Sequence, residues 1–288
     1  MATILYGKAV AEAMKERLAA DAAALTAGGV TPTLAIVRVG AREDDIAYER
    51  GAEKRCEILG VAVQKFLLAE DAAQAELLCV IEKINADSGI HGCLLFRPLP
   101  AQFDEDAVRG ALAPEKDVDG ITDGSLAGVF SGSGRGYPPC TAQACIELLA
   151  HYGIDVSGRD AVVVGRSLVI GKPVAQMLLA RNATVTTCHS RTRDLAEKCR
   201  RADVLVVAAG QRGLVDAESI EPGVVVVDVG INVDAAGGIC GDVRPEALEG
   251  AAAYTPVPGG VGAVTTSVLA AHVIDAAQKS ASYEKGRL

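Results

Sequence analysis

Residues 162–173 read Val162-Val-Val-Gly165-Arg166-Ser167-Leu-Val-Ile-Gly171-Lys172-Pro173, and this stretch constrains the fold most strongly. The valine run predicts a buried strand, and Gly165 permits a tight turn at its end. Gly171 lies where a following helix would pack closely on the strand, and Pro173 suits a first helical turn. Backbone N–H groups at that helix N-terminus are predicted to face an anion. The GxSxxxG spacing only partly meets the GxGxxG fingerprint, so a dinucleotide-binding turn and a structural strand-to-helix loop are both open from this turn alone.

The end of the next predicted strand favours the dinucleotide interpretation. That strand ends at Cys188-His189-Ser190-Arg191-Thr192, where a Rossmann-type fold places the ribose-recognising residue. Ser190 and Arg191 would suit a 2′-phosphate, which predicts NADP, with NAD as the alternative cofactor. Arg191 could instead be a solvated loop charge, and His189 is more typical of a structural histidine at a strand end. A later strand ends at Asp228-Val-Gly-Ile231-Asn232, again at an edge where ligands bind.

Outward from this turn, helical and strand-like stretches alternate in two blocks, which predicts an α/β fold with parallel strands and crossover helices. Arg97-Pro-Leu-Pro100 breaks the pattern, and the stretch from Pro114 to Cys140 is rich in glycine, aspartate and serine. Residues 280–288 are predicted to be a polar tail. The predicted helices are 8–26, 45–59, 71–86, 141–152, 172–182 and 265–279. The predicted strands are 33–39, 61–68, 91–96, 160–165, 183–188, 204–208 and 224–228.

Composition excludes several classes of function. A net charge of -9 provides no basic field for nucleic acid or an anionic membrane surface. No apolar run reaches the ~20 residues of a membrane span, and the N-terminus lacks the pattern of a secretion signal. The 8 cysteines are scattered without metal-ligand spacing. The expectation is a cytoplasmic protein with reduced cysteines and no metal site.

Motifs along nearly the whole chain resemble one enzyme family, the bifunctional methylenetetrahydrofolate dehydrogenase/methenyltetrahydrofolate cyclohydrolases (FolD-like). The most specific is Thr255-Pro-Val-Pro-Gly-Gly-Val-Gly262. Motifs in matching order and spacing are Val39-Gly40…Tyr48, Pro98-Leu-Pro100, Lys116-Asp-Val-Asp-Gly120, Pro139-Cys-Thr141, Gly165-Arg-Ser167…Gly171-Lys-Pro173, His189-Ser-Arg-Thr192, Val227-Asp-Val-Gly-Ile-Asn232 and Gly241-Asp-Val243.

The resemblance implies a homodimer whose chains each contain two α/β domains. Residues 1–145 with 266–288 would form the folate-binding catalytic domain, to which the C-terminal helix returns. Residues 146–265 would form the Rossmann-type NADP-binding domain. The implied cofactor contacts are Gly165, Arg166, Ser167, Gly171, Ser190, Arg191 and Ile231. The implied folate contacts are Tyr48, Phe96, Asp119, Pro258, Gly259 and Gly260, of which Tyr48 and Asp119 are the catalytic candidates.

Two of these folate contacts have ordinary structural alternatives. An aspartate before a glycine, as in Asp119-Gly120, is often only a turn former. Tyr48 on a helix face would usually be a core aromatic residue. The surrounding family motifs favour the substrate-binding interpretation for both.

The sequence departs from the family pattern at the residue on which the cyclohydrolase chemistry depends. The family carries Tyr-x-x-x-Lys, whereas this chain reads Tyr48-Glu-Arg-Gly-Ala52. Lys54 is a poor substitute, because at ~100° per residue it lies about 240° around the helix from Tyr48, whereas Ala52 lies about 40° away. The family's nearby glutamine is Phe96, and the serine three residues before the tyrosine is Asp45. The Pro-Met-Thr that follows the glycine string in the family reads Ala263-Val264-Thr265 here.

These departures predict that the two half-reactions are affected differently. Hydride transfer from methylenetetrahydrofolate needs positioning and no side-chain proton transfer. Hydrolysis of the methenyl cation needs proton transfers that a lysine of lowered pKa, hydrogen-bonded to Tyr48, would support. The hypothesis is therefore an NADP-dependent dehydrogenase whose cyclohydrolase activity is weak or lost. The alternatives are a fully bifunctional enzyme, the same scaffold acting on a different substrate, and a non-catalytic nucleotide-binding paralogue.

Overall fold

The computed structural model describes residues 2–234 and 237–285, and the chain divides into two compact units. One unit comprises Met1–Glu12 and Thr141–Thr265. The other comprises Ala13–Cys140 and Thr266–Leu288. Both are built on parallel sheets, as the alternating pattern predicts.

The unit that contains Ala13–Cys140 has a three-stranded parallel sheet in the order β3-β2-β4. Its central strand is a nearly continuous apolar run with both faces covered, which is typical of a buried parallel strand. The strands are β2 (Thr33–Val39), β3 (Ala62–Leu68) and β4 (Gly92–Leu95). The helices are α2 (Glu43–Leu59), α3 (Gln74–Ala86), α4 (Glu105–Ala111), α5 (Asp123–Ser131) and the long α9 (Thr265–Lys285), while α1 (Gly7–Ala27) starts in the first unit and continues into this one.

The unit that contains Thr141–Thr265 has a six-stranded parallel sheet in the order β1-β11-β8-β7-β5-β6. Its central strands are valine-rich and fully buried. The strands are β1 (Thr3–Ile4), β5 (Asp160–Val164), β6 (Thr184–Cys188), β7 (Val204–Val207), β8 (Val225–Asp228) and β11 (Ala253–Tyr254), and a separate hairpin pairs β9 (Asn232–Val233) with β10 (Ile239–Cys240). The helices are α6 (Cys140–His151), α7 (Gly171–Leu179) and α8 (Leu195–Arg200).

The grouping of the N-terminus differs from the predicted domain boundary. The prediction places residues 1–145 together, whereas Met1–Glu12 groups with Thr141–Thr265. The physical reason is that β1 extends the six-stranded sheet. The N–H of Thr3 donates to the carbonyl of Ala252, and that of Leu5 to the carbonyl of Tyr254, both at 2.8 Å.

The C-terminal helix is longer than predicted. The sequence predicts a helix over 265–279 and a polar tail from Ser280, but α9 continues to Lys285. The rest of the predicted tail, residues 286–288, lies outside the described residues. Among the described residues, no helix is long and apolar enough to span a membrane, and no group of His, Cys, Asp or Glu side chains could hold a metal ion.

Candidate active site

Two glycines shape the turn that follows β5. Gly165 has φ +133°, and a Cβ atom there would lie 2.2 Å from the carbonyl oxygen of Ala208. A Cβ atom on Gly171, the first residue of α7, would lie 2.3 Å from the carbonyl oxygen of Gly165. The strand, turn and helix can therefore pack this closely only with glycine at both positions.

The N–H groups that begin α7 are hydrogen-bonded within the turn, and their facing an anion stays a prediction. Ser167 Oγ accepts from the N–H groups of Ile170 at 3.1 Å and Gly171 at 3.4 Å. The carbonyl of Ser167 accepts from the N–H of Lys172 at 3.0 Å, and Pro173 has no N–H. A serine at this position satisfies the donors that a helix N-terminus normally leaves open.

A cavity of about 420 Å³ lies at the carboxyl ends of β5, β6 and β7. It brings together Gly165, Arg166, Ser167 and Ser190 from the predicted cofactor site. Arg191, Gly171 and Ile231 do not line it. The complete lining is Val164, Gly165, Arg166, Ser167, His189, Ser190, Thr192, Leu195, Ala208, Ala209, Gln211 and Leu214.

Sequence reasoning missed the residues after β7 that form one wall of this cavity. Ala208, Ala209 and Gln211 follow β7, and their only sequence signal is their place at the carboxyl end of a buried strand. His189 lines the cavity, and its Nδ1 accepts from the N–H of Arg191 at 3.1 Å. His189 thus lines the cavity and also holds the backbone of the turn after β6.

Helix α2 carries the tyrosine and the alanine that the sequence singles out. The rings of Tyr48 and Phe96 meet edge to face, with centroids 6.0 Å apart and planes at 81°. Ala52 is 1% exposed and Phe96 is 9% exposed. Lys54 is exposed, as the helix geometry predicts. The position of the family lysine is thus a buried methyl group on the Tyr48-bearing helix.

A buried carboxylate on α2 forms an ion-pair network that sequence reasoning missed. Glu49 accepts from Arg38 Nε at 2.7 Å and from Lys65 Nζ at 3.1 Å. Burial opposes its charge, but Arg38 and Lys65 outweigh burial and lower the pKa of Glu49. Hydrogen bonds from Lys65 to Glu53, at 2.6 Å, and to Glu49 raise the pKa of Lys65. Both side chains are therefore held in their charged forms.

The structure separates the roles of the two aspartates that precede Gly120. Asp117 is fully buried and accepts from the N–H groups of Ile121 at 2.9 Å and Thr122 at 2.7 Å, so it is the turn former. Burial, and then the charge of Asp117, raise the pKa of Asp119 to about 6. A carboxyl group with that pKa can exchange a proton close to neutral pH.

The loop that contains Pro258, Gly259 and Gly260 lies in the other unit and is held by the N-terminus. The N–H of Gly7 donates to the carbonyl of Gly259 at 2.9 Å. A Cβ atom on Gly7 would lie 2.0 Å from the carbonyl oxygen of Gly260. Gly7 is a further residue that sequence reasoning missed, because its partner lies more than two hundred residues away.

Family models match both halves of the chain. Residues 5–119 match the catalytic domain of tetrahydrofolate dehydrogenase/cyclohydrolase, and residues 139–281 match its NAD(P)-binding domain. The chain belongs to the tetrahydrofolate dehydrogenase/cyclohydrolase family. The glycine-turn cavity lies in the NAD(P)-binding domain, and Tyr48, Ala52, Phe96 and Asp119 lie in the catalytic domain.

Curated and solved members of the family cover almost the whole chain. The bifunctional protein FolD of Clostridioides difficile is 47% identical over 274 residues, 95% of this chain and 96% of that protein. A bifunctional FolD from Campylobacter jejuni has a TM-score of 0.94 at 37% identity, covering 97% of this chain and 99% of that chain. The Trypanosoma brucei FolD structure, complexed with NADP cofactor and inhibitor, has a TM-score of 0.90 at 34% identity, covering 97% of this chain and 98% of that chain.

In this family member, a histidine on α9 holds the backbone next to Asp119. His272 Nδ1 lies 2.8 Å from the carbonyl oxygen of Val118, so Nδ1 carries the proton. Its ring lies 4.9 Å from that of Tyr137, with planes at 33°. Burial lowers the pKa of His272 to about 4. The imidazole is therefore neutral near pH 7.

Replacing His272 by glutamine is expected to remove a pH-dependent part of the stability. An unfolded histidine binds a proton below about pH 6.5. The folded His272 binds one only below about pH 4, even though the negative charges of Asp275 and Asp117 favour its protonated form. Stability from the neutral imidazole is therefore lost as pH falls from about 6.5 to 4.

Urea unfolding at pH 8 and pH 5 measures this contribution. The wild type should lose about 2 kcal/mol relative to His272→Gln over that interval. Carboxyl groups such as Asp119 and Asp228 titrate in both proteins, so the comparison removes their contribution. His151→Gln, which replaces an exposed histidine, is the control. A wild-type-to-variant difference that is the same at both pH values would contradict the prediction.

Proposed function

We propose that this chain is an NADP-dependent methylenetetrahydrofolate dehydrogenase whose methenyltetrahydrofolate cyclohydrolase activity is weak or absent. The observation that carries the proposal is the buried methyl group of Ala52, four residues after Tyr48. The family pattern has a lysine there.

The dehydrogenase half-reaction needs only groups that this chain retains. Bound NADP would supply the hydride acceptor. The cavity beside Gly165 lacks a side chain where the turn approaches β7, and Arg166 and Ser190 offer donors to phosphate and ribose oxygens. Asp119 would hold the folate, directed at its pterin. Positioning of this kind is what hydride transfer requires.

The cyclohydrolase half-reaction needs proton transfers that the described groups around α2 do not supply. Attacking water must lose a proton, and the departing nitrogen must gain one. Ala52 cannot do this, and Lys54 is exposed. Lys65 is held as an ammonium by Glu49 and Glu53. Losing a positioned acid–base group costs ~10² to 10⁴ in rate.

A fully bifunctional enzyme is the second candidate, and one observation favours it. Asp119, with its pKa raised to about 6, could accept and return a proton near neutral pH in place of the lysine. Relatives at 47% and 48% identity also carry the name bifunctional protein FolD.

NADP preference, assembly and location complete the proposal. Ser190 and Arg191 at the end of β6 replace the acidic residue that would favour NAD. Arg191 is exposed, so its guanidinium is free to reach a 2′-phosphate at the rim of the cavity. The family resemblance supports a homodimer, and the scattered cysteines are typical of a protein in the reducing cytoplasm.

Two spectrophotometric assays on one purified sample test the proposal. One follows NADPH or NADH formation from methylenetetrahydrofolate, and the other follows decay of the methenyl chromophore above its spontaneous rate. We expect NADPH formation to exceed NADH formation, with little accelerated decay. Fast catalysed decay would favour the bifunctional enzyme, and Asp119→Asn would then be the variant to test. Absence of any reduced nucleotide would reject the dehydrogenase.

A further inference from the structure

The buried aspartate Asp242 lies beside the cavity that contains Gly165, and the proposed reaction gives it no role. Asp242 is 0% exposed and follows β10. Its Oδ2 accepts from the N–H groups of Ala209 at 2.7 Å and Gly210 at 2.9 Å. Its Oδ1 accepts from Asn232 Nδ2 at 2.9 Å. Within residues 2–234 and 237–285, no lysine or arginine forms an ion pair with this carboxylate.

The donors follow two neighbouring strands, β7 and β8, at the carboxyl edge of the six-stranded sheet. Ala209 lines the cavity directly after Ala208, whose carbonyl lies against the turn glycine Gly165. Asn232 follows Ile231, the predicted dinucleotide contact on the next strand's loop. One carboxylate therefore fixes the wall after β7 and the loop after β8 relative to each other.

Asp242 is itself rigidly held. Asp228 at the end of β8 accepts from the N–H groups of Asp242 at 3.1 Å and Val243 at 2.9 Å. A Cβ atom on Gly241 would lie 1.9 Å from Asp228 Oδ2, and one on Gly230 would lie 2.3 Å from Asp242 Cγ. The backbone around the carboxylate thus leaves it little freedom to relax.

We propose that Asp242 is a positioning residue for the dinucleotide, acting through the backbone of Ala209 and Gly210. The proposal rests on the proposed function, since it requires that the nucleotide bind in the Gly165 cavity. The carboxylate has acceptor oxygens for all three donors. An asparagine offers one oxygen, so its NH₂ group must face either the Ala209–Gly210 N–H groups or the Asn232 amide. The wall after β7 then loses its fixed position.

The test is the NADPH dissociation constant of the full-length protein, measured by fluorescence titration. Asp242→Asn should weaken NADPH binding by about 10- to 100-fold, because hydrogen bonds to a buried charge are lost. It should raise the KM for NADP and leave the KM for methylenetetrahydrofolate unchanged. Asp117→Asn is the matched control, because Asp117 is equally buried and holds two backbone N–H groups in the other unit. It should change the NADPH dissociation constant by less than about twofold.

The possible outcomes separate this proposal from the proposed function. A wild type that fails to bind NADPH rejects the function itself. A folded Asp242→Asn protein with unchanged NADPH affinity overturns only the positioning role, as does an equal loss of affinity in Asp117→Asn. If Asp242→Asn does not fold, Asn232→Ala decides. It removes one donor to the carboxylate and should weaken NADPH binding by about 3- to 10-fold; unchanged binding overturns the proposal.

Discussion

Replacing Ala52 by lysine together with Phe96 by glutamine is expected to raise the catalysed hydrolysis of methenyltetrahydrofolate by about 10²- to 10⁴-fold. Position 52 lies one helical turn from Tyr48, so the new ammonium would share its face of α2. Ala52 is 1% exposed, and burial there would lower the pKa of the lysine toward neutrality. Phe96 lies against Tyr48 at 6.0 Å, so glutamine at this position provides both room and a polar partner.

A pair of variants matched in shape separates proton transfer from a change of shape. Ala52→Met with Phe96→Gln fills the same space without an amine. It should hydrolyse the methenyl substrate no faster than the wild type. Both double variants should retain dehydrogenase activity within a few-fold, since that step needs only positioning. An equal gain in the methionine variant, or no gain in a folded and dehydrogenase-active lysine variant, would contradict the prediction.

The buried parallel strands could be predicted from the sequence because their signal is local. β2, β5, β7 and β8 are short valine-, isoleucine- and leucine-rich runs, and the predicted bounds differ from the observed ones by at most one residue. The two-residue strands β1 and β11 could not be found in this way. Their pairing, Thr3 with Ala253, joins segments far apart in the chain and leaves no local pattern.

Helix α5 was missed for a different reason. The stretch from Pro114 to Cys140 is rich in glycine, aspartate and serine, which predicts irregular structure. Yet Thr122 caps α5 by accepting the N–H of Ser125 at 3.1 Å, and a threonine N-cap is a readable helix signal. The glycine- and serine-rich composition of this stretch therefore hides a helix whose start is marked by the Thr122 N-cap.

In the candidate site too, residues that belong to a local sequence pattern could be predicted, and residues that depend on distant partners could not. The turn of Gly165, Arg166 and Ser167 could be predicted because a strand, two glycines and a proline lie within twelve residues. The roles of Glu49 and Asp242 could not, because an isolated acidic residue usually indicates a solvated surface. Their partners lie 10 to 33 residues away in the sequence. Only folding shows which charges are buried together.

Gly165→Ala is expected to abolish measurable NADPH binding and to destabilise the protein by about 3 to 5 kcal/mol, from backbone strain and overpacking together. The φ of +133° at this position is one that an alanine rarely adopts. Its Cβ atom would also lie 2.2 Å from the carbonyl oxygen of Ala208. That carbonyl cannot withdraw easily, because β5 and β7 are paired up to Val164 and Val207. The turn must therefore open, and with it the wall of the cavity.

Gly158→Ala isolates the cost of a positive φ from that of the clash. Gly158 precedes the same strand with φ +73°, and a Cβ atom there would have nothing within 4 Å. Its strain should cost only about 1 to 2 kcal/mol, and NADPH affinity should stay within about twofold of the wild type. Urea unfolding and NADPH titration on both variants measure the difference. Equal losses in the two variants would mean that backbone strain alone explains the glycine, and that the contact with Ala208 is not what holds the turn in its nucleotide-binding shape.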